Sequence, residues 1–117
     1  MRSVWILHEN KFYGILGLAK KAGKVLCGSE PVVSGIRNRK IRIVIISKNA
    51  SERTKKTIED KCKSYGIKYI FVNKSEDLCR AVGKDNCVAA AVTDKNFANE
   101  LEQIYKNMTE VAENGSC

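Results

Sequence analysis

Proline, histidine and tryptophan occur once each in the 117 residues. The single histidine, His8, leaves no Ser-His or Cys-His pair to act as nucleophile and base. No segment approaches the roughly 18 consecutive apolar residues that a membrane span needs. Val4-Trp5-Ile6-Leu7 is also shorter than the ~7 to 15 residues of a signal-peptide core, so no membrane association and a cytoplasmic location are expected. Missing too are a C-x-x-C pair, a Walker-type phosphate loop and a Gly-x-Gly-x-x-Gly turn. Carboxylate pairs do occur. Glu59-Asp60, however, falls on an exposed helix face, and Glu76-Asp77 in a first helical turn, where acids suit the macrodipole. No catalytic role, metal or cofactor is therefore expected.

The five cysteines (Cys27, Cys62, Cys79, Cys87, Cys117) are odd in number and mostly lie inside apolar runs. Four read as buried thiols acting as small hydrophobes, with Cys117 an exposed terminal thiol. What the chain has in excess is positive charge: 21 Lys+Arg against 13 Asp+Glu, a formal net charge of +8. A small domain of this balance attracts polyanions, and nucleic acid is the commonest in the cytoplasm. With 44% hydrophobic and 29% charged residues and no repeats, low-complexity tracts or linkers, the chain suits one domain over 1–117. Its ordered core is expected over about 10–108, followed by a polar, frayed C-terminal tail.

Periodicity gives the elements. Phe12, Ile15, Leu16, Ala19 and Ala22 recur at helical spacing, with Gly23 as the stop and His8 in a mobile N-terminus before them. Lys24 to Cys27 is short and extended. A helix then opens at Gly28-Ser29-Glu30-Pro31, carries Val32, Val33 and Ile36, and ends in Arg37-Asn38-Arg39-Lys40. Ile43-Val44-Ile45-Ile46 reads as a central strand covered on both faces. Ser51 caps a third helix, with Thr54, Ile58, Cys62 and Tyr65 inward, stopped by Gly66. Lys68 to Val72 is a strand, Ser75 starts a short helix with Leu78, Ala81 and Val82 inward, and Gly83 to Asn86 turns. Val88 to Val92 is short enough to be a tightly packed strand despite its alanines. Asp94 caps the last helix, whose inner positions are Phe97, Leu101, Ile104 and Met108. This alternation predicts an α/β fold, a three-layer α/β/α sandwich around a small mixed sheet of about four strands.

The Gly28 helix start carries the functional expectation. A helix N-terminus presents free backbone N–H groups and the positive end of the macrodipole, and a glycine lets an anion approach. Lys20, Lys21 and Lys24 precede it and Arg37, Arg39, Lys40, Arg42 and Lys48 follow, so the expected ligand is a phosphate held among cations. An ordinary N-cap with Pro31 in the first turn accounts for the same residues. Lys48 and Asn49 follow the central strand, at the end of an open α/β sheet where ligands gather. A plain solvated turn accounts for them equally.

The residues Leu16 to Lys24, Gly28, Arg37, Ile43 to Ile46, Ser51 to Cys62, Gly83-Lys84 and Val88 to Ala98 together resemble a bacterial branch of the kink-turn-binding ribosomal protein superfamily, the L-seven-Ae type. The likeness covers about residues 12 to 105 and is most specific at Ala90-Ala91-Val92-Thr93-Asp94-Lys95-Asn96-Phe97-Ala98. It implies a single RNA-binding domain that recognises structured, kink-turn-like RNA, with the ribosome or translation factors as further partners; a monomer is expected. It also implies that polar groups at the helix start read guanine edges of sheared G·A pairs while backbone and basic groups hold phosphates. The family's Gly-Thr-Asn-Glu-x-x-Lys pattern falls here on Gly28, Ser29, Glu30, Pro31 and, at the lysine, Ser34. Only Gly28 and Ser29 match it well, and the other three depart from it. The loop from Gly83 to Val88 would offer Cys87 and Val88 as apolar contacts to an extruded nucleotide, or serve only as a turn into the last strand. A protein-interaction module using the basic face is the competing expectation, since fold does not fix function.

Overall fold

Apolar spacing and turn residues resolve into nine elements in a computed structural model that describes the backbone of residues 2–115 and the side chains of residues 9–108. In chain order these are α1 (Arg2–Lys21), β1 (Val25–Cys27), α2 (Ser29–Arg37), β2 (Ile43–Ser47), α3 (Glu52–Tyr65), β3 (Lys68–Val72), α4 (Ser75–Val82), β4 (Ala89–Val92) and α5 (Lys95–Gly115). The strands form one mixed sheet in the order β1-β4-β2-β3. β2 and β3 run parallel, and β4 is antiparallel to both β1 and β2.

The unbroken apolar run of β2 has the predicted cause. All five of its residues are buried, because successive side chains point to opposite faces and both faces are covered. Ile43 and Ile45 meet Phe12, Leu16, Leu78, Val82, Leu101 and Ile104 in the layer of α1, α4 and α5. Val44 and Ile46 meet Val32, Ile36, Ile58 and Cys62 in the layer of α2 and α3. The alanines of β4 divide in the same way, Ala90 to the first layer and Ala89 and Ala91 to the second. Their small side chains let α2 lie close to the sheet. A Cβ at Gly35 would stand only 2.7 Å from Ile41 Cδ1 and 2.8 Å from Leu26 Cδ1. The expected three-layer α/β/α sandwich is the observed fold.

Helix boundaries follow their caps. The Ser51 hydroxyl accepts the Thr54 N–H at 3.2 Å, and the Asp94 carboxylate accepts the Asn96 N–H at 2.7 Å. Several expectations need correction. The N-terminal segment is helical, because α1 begins at Arg2 and includes His8, whose side chain lies outside the described residues. Ala22 is exposed because the helix has ended by then and the chain is turning. The polar segment after Thr109 continues α5 to Gly115, in keeping with the helix propensity of Glu110, Ala112 and Glu113. Of the four cysteines expected inside, Cys62 and Cys87 are buried, while Cys27 and Cys79 are half-buried beside the core; Cys117 lies outside the described residues.

Candidate functional site

β1 and α2 meet at Gly28, and their geometry fixes what the helix start can offer. Gly28 has φ 99° and ψ 153°, a region open essentially to glycine alone. It is the N-cap residue, and no side chain caps the helix. The helix mouth therefore keeps free N–H donors at its positive end. The conformation is held from behind, where the Gly28 N–H donates to the Ala89 carbonyl at 2.9 Å. That bond joins the helix start to the first residue of β4, directly after the turn that ends at Val88.

Other strand ends arrive at the same place. Ser47 N–H donates to the Val88 carbonyl, and Lys48 N–H to the Val72 carbonyl, each at 2.8 Å. Ser47 is fully buried, and its hydroxyl accepts the Asn49 N–H at 3.1 Å. This bond fixes the turn that carries Lys48 and Asn49, both exposed. Lys55 Nζ is tied to the Lys48 carbonyl at 3.1 Å, which braces the same turn against α3. Gly28, Ser29, Glu30, Lys48, Asn49 and Val88 thus share one end of the sheet. Alongside it, Ser29, Glu30, Val33, Ser34, Arg37 and Thr57 line a shallow groove of about 330 Å³ between α2 and α3. Glu30, Ser34 and Arg37 follow one another along it at helical spacing. Val33 and Thr57 line this groove without being marked as site residues by the sequence. Val33 reads as an inward position of α2, and nothing along the chain tells which residues of α3 face α2.

The turn from Gly83 to Val88 contributes differently from expectation. Cys87 is buried, its thiol donating to the Ala89 carbonyl at 3.3 Å and its N–H donating to Cys79 Sγ at 2.9 Å. Burial pushes this thiol up to about 11, with the neighbouring Cys27 and Cys79 adding to the shift. It stays protonated and faces inward, so the half-buried Val88 is the apolar side chain this turn can present.

The cations flanking Gly28 in sequence do not surround it in space. β1 crosses the sheet from Lys24 to Gly28, and α2 crosses back from Ser29 to Arg37. Residues before the first and after the second therefore lie at the opposite end. Lys24 is placed there by Thr93 N–H, which donates to its carbonyl at 2.9 Å. Arg39 sits beyond α2 with its guanidinium 5.3 Å from the centre of the Tyr65 ring. Lys48 is the cation of the original group that stands at the Gly28 end.

Among the described residues, no set of three or more His, Cys, Asp or Glu is arranged to hold a metal ion, and no helix is long and apolar enough to cross a membrane.

A mixed four-stranded sheet between two helical layers, with an uncapped glycine helix start beside the last strand, defines a known class of small α/β domain. The chain belongs to the ribosomal protein L7Ae/L30e/S12e/Gadd45 family, whose model matches residues 10–102. It is 40% identical over 91 residues to the RNA-binding protein YlxQ of Bacillus subtilis, covering 78% of this chain and 91% of the relative. The Enterococcus faecium protein of the same name is 32% identical over 99 residues, covering 85% and 95%. Among solved structures, a Bacillus halodurans protein of unknown function matches with a TM-score of 0.77 at 38% identity, covering 80% of this chain and 95% of that one. The Giardia lamblia 15.5kD RNA binding protein matches with a TM-score of 0.67 at 16% identity, covering 92% and 89%, a likeness of fold.

Proposed function

We propose that this chain is a non-catalytic protein that binds structured RNA of the kink-turn kind with the Gly28 end of its sheet. The observation carrying the reading is the uncapped start of α2 at Gly28, held against β4 beside Val88 and Lys48. The names of its bacterial relatives support RNA as the ligand class. Free N–H groups at the helix mouth and Lys48 would hold phosphates, and Glu30 would accept from a guanine edge. Ser29 and Ser34 would line the groove that receives the bases, Arg37 would meet a phosphate further along it, and Val88 would touch an unstacked nucleotide. Asn49 would supply polar contact from the Lys48 turn. The family's ribosomal members make ribosomal or translation-associated RNA the source to test first.

The test uses the departure at Ser34. This residue is exposed in the same groove as Glu30, one helical turn further in. Ser34→Lys places an ammonium there, with a charge-assisted hydrogen bond worth roughly 1.5 to 3 kcal/mol before the side chain's ordering is subtracted. Asn107→Lys adds the same charge on α5, in the opposite layer. Titrations of a kink-turn RNA and a plain duplex of equal length should show tighter kink-turn binding, improved by Ser34→Lys and little changed by Asn107→Lys. Equal gains from both would remove α2 as the reading element and leave an interaction module as the better account.

A further inference from the structure

The chain's excess charge gathers at the sheet end opposite Gly28. Registers put Val25 beside Val92 and Val92 beside Ile43, so Lys24 and Arg42 emerge next to one another across β4. Arg42 N–H donates to the Val92 carbonyl at 2.8 Å, and Lys24 N–H to the Ala19 carbonyl at 2.9 Å. The second bond brings in the basic last turn of α1, Lys20 and Lys21. From the other layer come Arg39 and Lys40, the latter fixed by its N–H to the Gly35 carbonyl at 3.1 Å. Lys95, at the start of α5, lines one depression with Arg42.

These cations outnumber the carboxylates beside them and form no ion pair among the described residues. Among the described residues the ion pairs are Lys55 with Glu52 and Lys68 with Glu102, so none of this group has a carboxylate partner. Two carboxylates share this end: Asp94, which caps α5, and Glu102, which lines the depression with Arg42 and Lys95 and is paired with Lys68. The Gly28 end differs, since Lys48, Lys74 and Lys84 are interleaved there with Glu30, Glu76 and Asp85. The two ends are separated by the length of the strands, about 17 Å for five residues.

We propose that this basic end is a second, separate binding face for the phosphate backbone of duplex RNA. The choice of RNA among polyanions rests on the function proposed above; the face itself rests on charge and geometry. A protein partner would need an apolar centre, and the exposed large hydrophobic among the described residues is Leu18, a single side chain. Single strands are held by aromatic stacking; Tyr65 is already covered by Arg39, and Tyr69 and Tyr105 line a neighbouring depression that holds Glu102 and none of these cations. What the patch presents is spaced cations, which suits regular backbone phosphates. With both ends occupied, the protein would join a kinked element to a neighbouring helix.

The experiment measures binding of a plain RNA duplex against salt for the full chain and two variants. One carries Lys21→Gln, Lys40→Gln, Arg42→Gln and Lys95→Gln, and the other Lys11→Gln, Arg53→Gln, Lys56→Gln and Lys106→Gln. All eight positions are exposed, and circular dichroism melts check that both variants fold. The first should flatten the log-log salt slope by about three units, at ~0.7 to 0.9 for each phosphate no longer neutralised; the second should change it by less than one. The first should also keep the wild-type ratio of kink-turn to duplex affinity once the salt-dependent loss common to both RNAs is removed. Equal flattening by the two variants would overturn the proposal and leave diffuse charge. Polyglutamate binding as tightly as the duplex would overturn it in favour of an acidic protein partner. If the wild type shows no kink-turn preference, the reading of the Gly28 end fails, while the slope difference still decides this one.

Discussion

Replacing Gly28 with alanine separates backbone conformation from side-chain crowding. A Cβ built there meets Pro31 Cδ at 3.5 Å, ordinary contact, so the substitution is not excluded by packing. The penalty comes from φ 99° and ψ 153°, where an L side chain is strained by about 1 to 3 kcal/mol. Gly23 is the control. Its φ is 75° with nothing within 4 Å of a built Cβ, a left-handed position at which alanine costs roughly 1 to 2 kcal/mol, whereas the Gly28 region is essentially closed to other residues. Urea unfolding should show Gly28→Ala losing more stability than Gly23→Ala, with midpoints shifted and slopes unchanged. Stabilities of roughly 5 to 15 kcal/mol leave such a variant almost wholly folded in buffer. Its RNA affinity can therefore be read separately, and it should fall because a methyl group now stands at the helix mouth. A Gly28→Ala protein as stable as wild type, or more stable than Gly23→Ala, would refute the conformation on which the helix start depends.

Gly35→Ala should destabilise, because the new methyl group meets Ile41 and Leu26 under 3 Å, an overpacking cost of about 1 to 3 kcal/mol that is only partly offset by the roughly 1 kcal/mol of helix propensity gained inside α2; differential scanning calorimetry would show a lowered melting temperature. For the thiols, burial raises Cys62 and Cys87 from 9.0 to about 11. Both acids hold their protons longer folded than unfolded, so stability is complete below pH 9.0 and falls as pH rises towards 11. Urea titrations of wild type and Cys62→Ala across that window should show a shallower fall in the variant.

Legibility followed the physical scale of each signal. Strand β2 was readable because burial on both faces leaves an unbroken β-branched run. The helices were readable because Ser51, Gly66 and Asp94 mark their ends. The inward turn of Cys87 was not, since a thiol at the end of a loop carries no period that says which way it points. The groove partner Thr57 was hidden for a related reason: sequence shows the buried stripe of α3, while its contact with α2 depends on how two helices lie on one sheet. Glycine at position 28 was read correctly as the start of α2, yet its value as an open, uncapped mouth emerges only from its backbone angles.

Charge was the signal most open to misreading, and the reason is topological. A short strand and a nine-residue helix on either side of Gly28 each cross the sheet once. Residues four to eight places before the glycine (Lys20 to Lys24) and ten to fourteen after it (Asn38 to Arg42) are thereby brought together at the end away from it. Nearness along the chain and nearness in space are inverted by that single reversal. A basic cluster centred in sequence on a helix start is divided in the fold, with Lys48 at the start and Lys24, Arg39, Lys40 and Arg42 across the sheet. On the proposed reading, recognition at the Gly28 end would depend on N–H donors and shaped polar contacts more than on net charge. Salt dependence and kink-turn preference, which one patch would couple, would on the two proposals belong to separate surfaces that mutation can uncouple.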